Sequence, residues 1–286
     1  MTNDRDQRQH ASHTLSKGLA LLCAFRPGEF HLGNKEFAER TGFSKSTVSR
    51  LAKMLVELGY LRHLGRIGRY ALGNAVLTLG YPLMVSLSPW RAARPVMREL
   101  AEVLSGQVSL GVRDRFSVVS IESTPDPRRN PVMADLGPVW PLLPSAMGRA
   151  HLAALPPADR DALLAALCAR TPGVWARHGA DWPQALADFR RRGFTSSFGL
   201  AQPDTYACAV PLRLRWNEEI VALNCSIAAS PSLGPDGFTA LVGPKLLLTA
   251  RTIEAAVESA VQSDEPILQR ELSRTLFSTR PQRQNA

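Results

Sequence analysis

The chain has 286 residues, 45% of them hydrophobic and 21% charged, with a formal charge of +9. That is an ordinary soluble composition, long enough for two modest domains or one large one. No apolar run approaches the ~20 residues of a membrane helix, and the polar start MTNDRDQRQHASH lacks the core of a secretory signal, so a cytoplasmic protein is expected.

The charge is uneven: residues 1–80 hold 12 Lys/Arg against 6 Asp/Glu, a surplus of six in about a quarter of the chain. A basic N-terminal module suggests a polyanionic partner, because neutralising phosphates releases counterions. Residues 1–13 read as disordered. From Thr14 to Phe25 a first helix places Leu15, Leu19, Leu22 and Phe25 on one face. Lys35 to Gly59 reads as two helices joined by a tight turn. Val48, Leu51, Ala52 and Leu55 make one apolar stripe, and Ser46, Ser49, Arg50 and Lys53 lie half a turn round. Gly42 suits the left-handed helix end and Ser44 can cap the second helix. This is the layout of a helix-turn-helix whose second helix enters a DNA major groove. Tyr60 to Gly73 then reads as a hairpin around Gly65-Arg66-Ile67-Gly68. Three helices and a basic hairpin make a winged helix over 14–80, with Arg66 and Arg69 at or near the wing tip, placed to reach a phosphate or a minor groove.

Pro82, Pro89 and Pro95 interrupt the connector, so a short helix, a break and a longer helix from Trp90 to about Leu104 are expected. Val96, Leu100, Val103 and Leu104 form the packing face of that longer helix. Residues 81–104 would link the winged helix to a second domain over 105–263. There Gln107–Val112 and Ser117–Glu122 read as strands and Thr124–Asn130 as a loop. Trp140–Pro144 reads as irregular, and 145–154, 157–169 and 182–192 as helices. Ala207–Leu214 and Glu219–Ala228 read as a strand pair, and 238–263 as a long helix broken near Gly243-Pro244. The class is α+β with a central antiparallel sheet, followed by a loose tail over 264–286. Cys23, Cys168, Cys208 and Cys225 have no paired spacing, so the expectation is four reduced, mostly buried thiols, with neither a zinc site nor a disulfide framework.

The segments FAERTGFSKSTVSRL (37–51), GRYALG (68–73), AMGRAHLA (146–153), RRRGF (190–194), ACAVPL (207–212) and VALNCSIA (221–228) occur in this order. Together they resemble the IclR family of bacterial transcription factors over about residues 14–262. The resemblance implies a winged helix, a linker helix and a GAF-like effector-binding domain. It also implies a homodimer or homotetramer on a palindromic double-stranded DNA operator, with half-sites about 34 Å or a multiple apart, modulated by a small organic, often aromatic, acid. Residue by residue, the implied groove-facing set is Ser44, Lys45, Ser46, Thr47, Ser49 and Arg50, to which the helical-face argument adds Lys53. The implied effector-facing set is Val132, Met133, Ala146, Met147, Ser197, Ala207, Asn224 and Ser226. Ser197 stands where an acidic residue is common and Asn224 where serine is, so this pocket should carry less charge than those of the organic-acid sensors.

No GxSxG elbow, HExxH, P-loop or dinucleotide fingerprint occurs, and His151 has no motif-linked nucleophile. An enzyme is therefore not expected, nor a cofactor, metal or membrane partner. A constitutive DNA-binding protein whose second domain only oligomerises is the alternative. An RNA-binding winged helix would show no preference for a duplex palindrome.

Overall fold

A computed structural model describes residues 13–26, 28–124, 137–230 and 232–263. The chain divides into two compact units, Met1–Ser86 and Leu87–Ala286.

The first unit holds helices α1 (13–22), α2 (Asn34–Thr41) and α3 (Lys45–Glu57), the hairpin β1 (Leu61–Leu64) and β2 (Arg69–Leu72), and α4 (Ala75–Ser86). Gly42 ends α2 in the left-handed conformation at φ 72°, its N–H donating to the Ala38 carbonyl. Two residues on, the Ser44 hydroxyl accepts from the Thr47 N–H and starts α3, a cap worth about 1 kcal/mol. Val48, Leu51, Ala52 and Leu55 point inward against Leu21, Leu32, Phe37 and Leu61. Tyr70 of β2 exchanges two backbone hydrogen bonds of 2.8 Å with Leu32, which docks the hairpin on the segment before α2. Arg40 grips Glu29 with both terminal nitrogens, at 2.6 and 2.7 Å, and donates to the Ala24 carbonyl. That fork holds the Glu29 carboxyl down at about 2.

The expected α1 face holds in part, with Leu15, Leu19 and Leu22 lining one groove. The helix ends at residue 22, before Phe25, and the core residue is Leu21, while Leu15 and Leu19 are 66% and 49% exposed. The spacing marks an apolar stripe correctly but does not say what it meets.

In the second unit a 3₁₀ turn (Ser88–Ala93) leads into α5 (Arg94–Leu104). Then come β3 (Gln107–Asp114), β4 (Ser117–Ser123), β5 (Val139–Pro141), α6 (Ala146–Ala154), α7 (Pro157–Arg170), α8 (Pro172–His178) and α9 (Trp182–Arg192). Strands β6 (Thr195–Phe198), β7 (Thr205–Trp216) and β8 (Glu219–Ala228) precede the closing helix α10 (Gly234–Ser263). The strands form one antiparallel sheet in the order β5-β4-β3-β8-β7-β6. One face packs Val108, Leu110, Cys208, Val210, Leu223 and Cys225 against α5 and α10. The other carries small residues, Ala209 and Ala222, under α6 and its neighbours.

Several expectations give way here. Pro82 lies inside α4 rather than breaking it, because a proline removes a single hydrogen bond that a 12-residue helix survives. Helix α5 starts at Arg94 and buries Met97, Leu100 and Ala101, with Val96 and Leu104 packed against the same core as expected, whereas Val103 is 62% exposed. Trp140 belongs to the edge strand β5, opposite Val118. Pro244 sits within an unbroken α10. Cys23 and Cys168 are exposed, whereas Cys208 and Cys225 are buried directly opposite each other on β7 and β8.

Candidate functional site

Two surfaces collect the residues that the motifs single out, one in each unit. On α3 the inward stripe leaves Ser46, Ser49, Arg50 and Lys53 exposed on the opposite side. Ser44 is tied into the cap, bonding the Ser46 and Thr47 hydroxyls at 3.0 and 2.9 Å, and Thr47 is half-buried. Lys45, Arg50 and Lys53 have no hydrogen bond or ion pair among the described residues, so three cations face outward from one helix. Lys17 of α1 lies over the turn before α3, its Nζ 5.7 Å from the centre of the Phe43 ring. On the wing, Arg66 is exposed in the turn. Arg69 differs: its guanidinium pairs with Glu36 of α2 and its Nε is buried without a partner, which braces the hairpin against α2.

The second surface is a cavity on the polar face of the sheet. Strand alternation sends every second residue to this face, and the register lines them up in rungs. Ser123, Ser109, Asn224, Ala209 and Thr195 cross five strands in one rung, and Gln107, Ser226, Ala207 and Ser197 make the next. Ala207 and Ala209 leave the space that larger residues would fill. Helix α6 closes one side. Its N-cap Ser145 accepts from the Gly148 N–H at 3.0 Å and donates to the Pro141 carbonyl at 2.6 Å. The N–H groups of Ala146 and Met147, in the first turn, have no acceptor within the helix. Ser197 donates to the Pro144 carbonyl at 2.6 Å, so it offers the cavity lone pairs rather than a proton. Arg149 pins the same loop to β6, reaching the carbonyls of Leu143 at 2.7 Å and Ser196 at 3.1 Å.

Ala146, Met147, Ser197, Ala207, Asn224 and Ser226 all line this cavity. Val132 and Met133 lie outside the described residues. The motif reading did not name Gln107, Ser109, Ser120, Ser123, Trp140 and Thr205, which also line it. Gln107, Ser109 and Ser123 share hydrogen bonds of 2.8 to 3.1 Å. Asn224 and Ser120 are only 8% and 3% exposed and have no side-chain partner among the described residues. No acidic, basic or histidine side chain appears among the described residues lining the cavity.

Beneath it, the His151 Nε2–H donates to the Gly111 carbonyl at 3.1 Å, and burial pushes its pKa down to about 4, with Arg113 and Arg215 acting the same way. A depressed histidine pKa means the unfolded chain binds the extra proton. Its contribution to stability is therefore complete above about pH 6.5 and lost as the pH falls toward 4. Urea titrations should find about 3 kcal/mol lost across that window, and His151→Gln should flatten it. An equal slope in both proteins would contradict the burial argument.

Comparison with known proteins places both units. The model of the IclR helix-turn-helix domain matches residues 14–65, and that of the bacterial transcriptional regulator IclR C-terminal domain matches residues 85–255. The regulator TsaQ1/TsaQ2 of Comamonas testosteroni is 36% identical over 187 residues, 65% of this chain and 67% of that protein. The transcriptional repressor IclR of Escherichia coli is 26% identical over 144 residues, 50% of this chain and 53% of its own. Among solved structures, an IclR family transcriptional regulator from Brucella abortus superposes with a TM-score of 0.71 at 34% identity, covering 85% of this chain and 92% of that one. An IclR homologue from Microbacterium hydrocarbonoxydans, complexed with 4-hydroxybenzoate, has the same fold at 20% identity and a TM-score of 0.63, covering 86% and 99%. Family models matching well over half of its length establish that the chain belongs to the IclR family of bacterial transcriptional regulators, a family of regulators rather than enzymes.

Proposed function

We propose that this chain binds a palindromic operator as a dimer and that a small organic ligand in the sheet-face cavity alters that binding. The observation that carries the DNA half is the exposed side of α3, where Lys45, Arg50 and Lys53 face outward without partners while the opposite side is buried. Ser46 and Ser49 beside them suit phosphate and base edges, and Arg66 suits a neighbouring phosphate. Arg69 serves by holding the wing in place. Arg50→Ala should weaken specific binding by about 1–3 kcal/mol if the guanidinium reads a guanine edge. An equal loss on random DNA would make Arg50 a phosphate contact instead.

For the ligand, the support is the buried and unpartnered Asn224 and Ser120. Buried polar groups are normally hydrogen-bonded, and a domain that only oligomerises has no use for a carboxamide that faces a cavity without a protein partner. The first-turn donors of α6 make an organic carboxylate the class to test first.

The dimer is supported by apolar surface in the first unit. No residue of α4 is buried, and Leu77, Leu79, Tyr81 and Leu83 are 53 to 68% exposed. Leu79 shares a groove with Leu15, Leu19, Leu22, Met54 and Leu58. So much exposed apolar surface marks a protein contact, and the two-fold operator makes a second copy its occupant. Leu79→Asp should convert the protein to monomers in sedimentation velocity; an unchanged dimer would remove α4 from the seam.

A further inference from the structure

The cavity does not end at the rung of Gln107 and Ser226. Two residues further along each strand, a groove opens between Ser105 on one side, Ala228 on another and the Pro203-Asp204 turn on the third. The two spaces share Gln107, Gln202, Thr205 and Ser226, so they are successive stretches of one sheet face. Strands rise about 3.4 Å per residue. The four steps from Asn224 to Ala228 therefore span about 14 Å, roughly twice the length of a single para-substituted ring. The inner cavity measures about 60 Å³ and the outer groove about 420 Å³. The outer groove is thus the roomier of the two.

The chemistry changes along this path. The inner stretch is lined by hydroxyls, amides, Trp140 and Met147, with no ionisable side chain among the described residues. The outer stretch contains one, Asp204, which is exposed and has no hydrogen bond or ion pair to its side chain among the described residues. Its backbone is fixed: the Asp204 carbonyl accepts from the Ala229 N–H at 2.8 Å, and the Thr205 carbonyl from the Gly199 N–H at 2.8 Å.

We infer that the ligand is longer than the inner cavity, with one end beside Asn224, Ser120 and Trp140. The rest passes between Gln107, Thr205 and Ser226 and ends in a cationic amine opposite Asp204. This rests on the reading of the cavity as the ligand site and adds the length and charge of what enters it.

Two probes differing only in the outer part test it by isothermal titration of the full chain: 4-methylbenzoate and 4-(2-aminoethyl)benzoate. The amine should bind at least tenfold more tightly. In Asp204→Asn, which keeps a residue that tolerates the left-handed backbone at φ 53°, that advantage should fall to within twofold while 4-methylbenzoate is unaffected. Both compounds should lose binding in Asn224→Leu. Equal affinity of the two probes for the parent protein would overturn the inference and leave the inner cavity standing. So would an advantage that survives Asp204→Asn. Binding of neither probe, or binding indifferent to Asn224→Leu, would overturn the inference together with the reading of the cavity it rests on.

Discussion

Asn224→Leu is expected to abolish the ligand response of the DNA complex while leaving the stability of the ligand-free protein nearly unchanged. The carboxamide lies between Ser109 and Ala209 in the middle of the sheet, almost fully buried and without a protein partner. Leucine has nearly the same shape but can neither donate nor accept. A ligand that loses one donor and one acceptor, and buries its own groups unpaired, should bind about 2–4 kcal/mol more weakly, a factor of about 30 to 1,000. The free protein should change little, since the amide of Asn224 opens onto the cavity and is not one of the fully buried polar atoms left without a partner. Operator affinity should stay where it was, because α3 belongs to the other unit. Thermal melting without ligand and gel shifts with it read the two effects separately. An unchanged ligand response would take Asn224 out of the site.

Gly148→Ala is expected to cost about 3 kcal/mol or more of folding stability and to remove the ligand response with it. A Cβ at this position would stand 2.1 Å from the carbonyl oxygen of Leu142 and 2.4 Å from its Cα. Both are backbone atoms, so no flexible side chain can yield. Relief requires α6 to move away from the loop that Ser145 and Arg149 tie down, and overpacking against fixed backbone is among the large destabilisers. The same movement would displace the first-turn amides of Ala146 and Met147 from the cavity. Urea unfolding within 1 kcal/mol of the parent protein would show that this contact relaxes freely, against the rigid α6 packing argued above.

What the sequence made legible follows from which physical signals are local. The α3 region was readable because its stripe, cap and turn glycine all lie within sixteen residues, Gly42 to Glu57, and agree with one another. The edge strands β5 and β6 were not. At three and four residues they have no pattern of their own and exist because β4 and β7 offer them partners. Six expected cavity residues were legible through family motifs. Gln107, Ser109 and Ser123 were missed for a different reason: polar residues alternating on a strand read as a solvated face, and here that face looks into a cavity. The α1 stripe is the mirror-image case: Leu15, Leu19 and Leu22 do share one face, but Leu15 and Leu19 carry the period of a core helix while staying exposed.

The central claim, DNA binding gated by a ligand in the second unit, is tested most directly by a gel shift of the purified chain on the intergenic DNA upstream of its own gene. It is run at fixed salt against excess random duplex, with and without a panel of aromatic and aliphatic carboxylates that includes 4-hydroxybenzoate and 4-(2-aminoethyl)benzoate. The account predicts a shift that survives the random competitor and is strengthened or released by at least one compound, with that effect absent in Asn224→Leu. A complex that random duplex competes away, or a ligand effect that persists in Asn224→Leu, would contradict it.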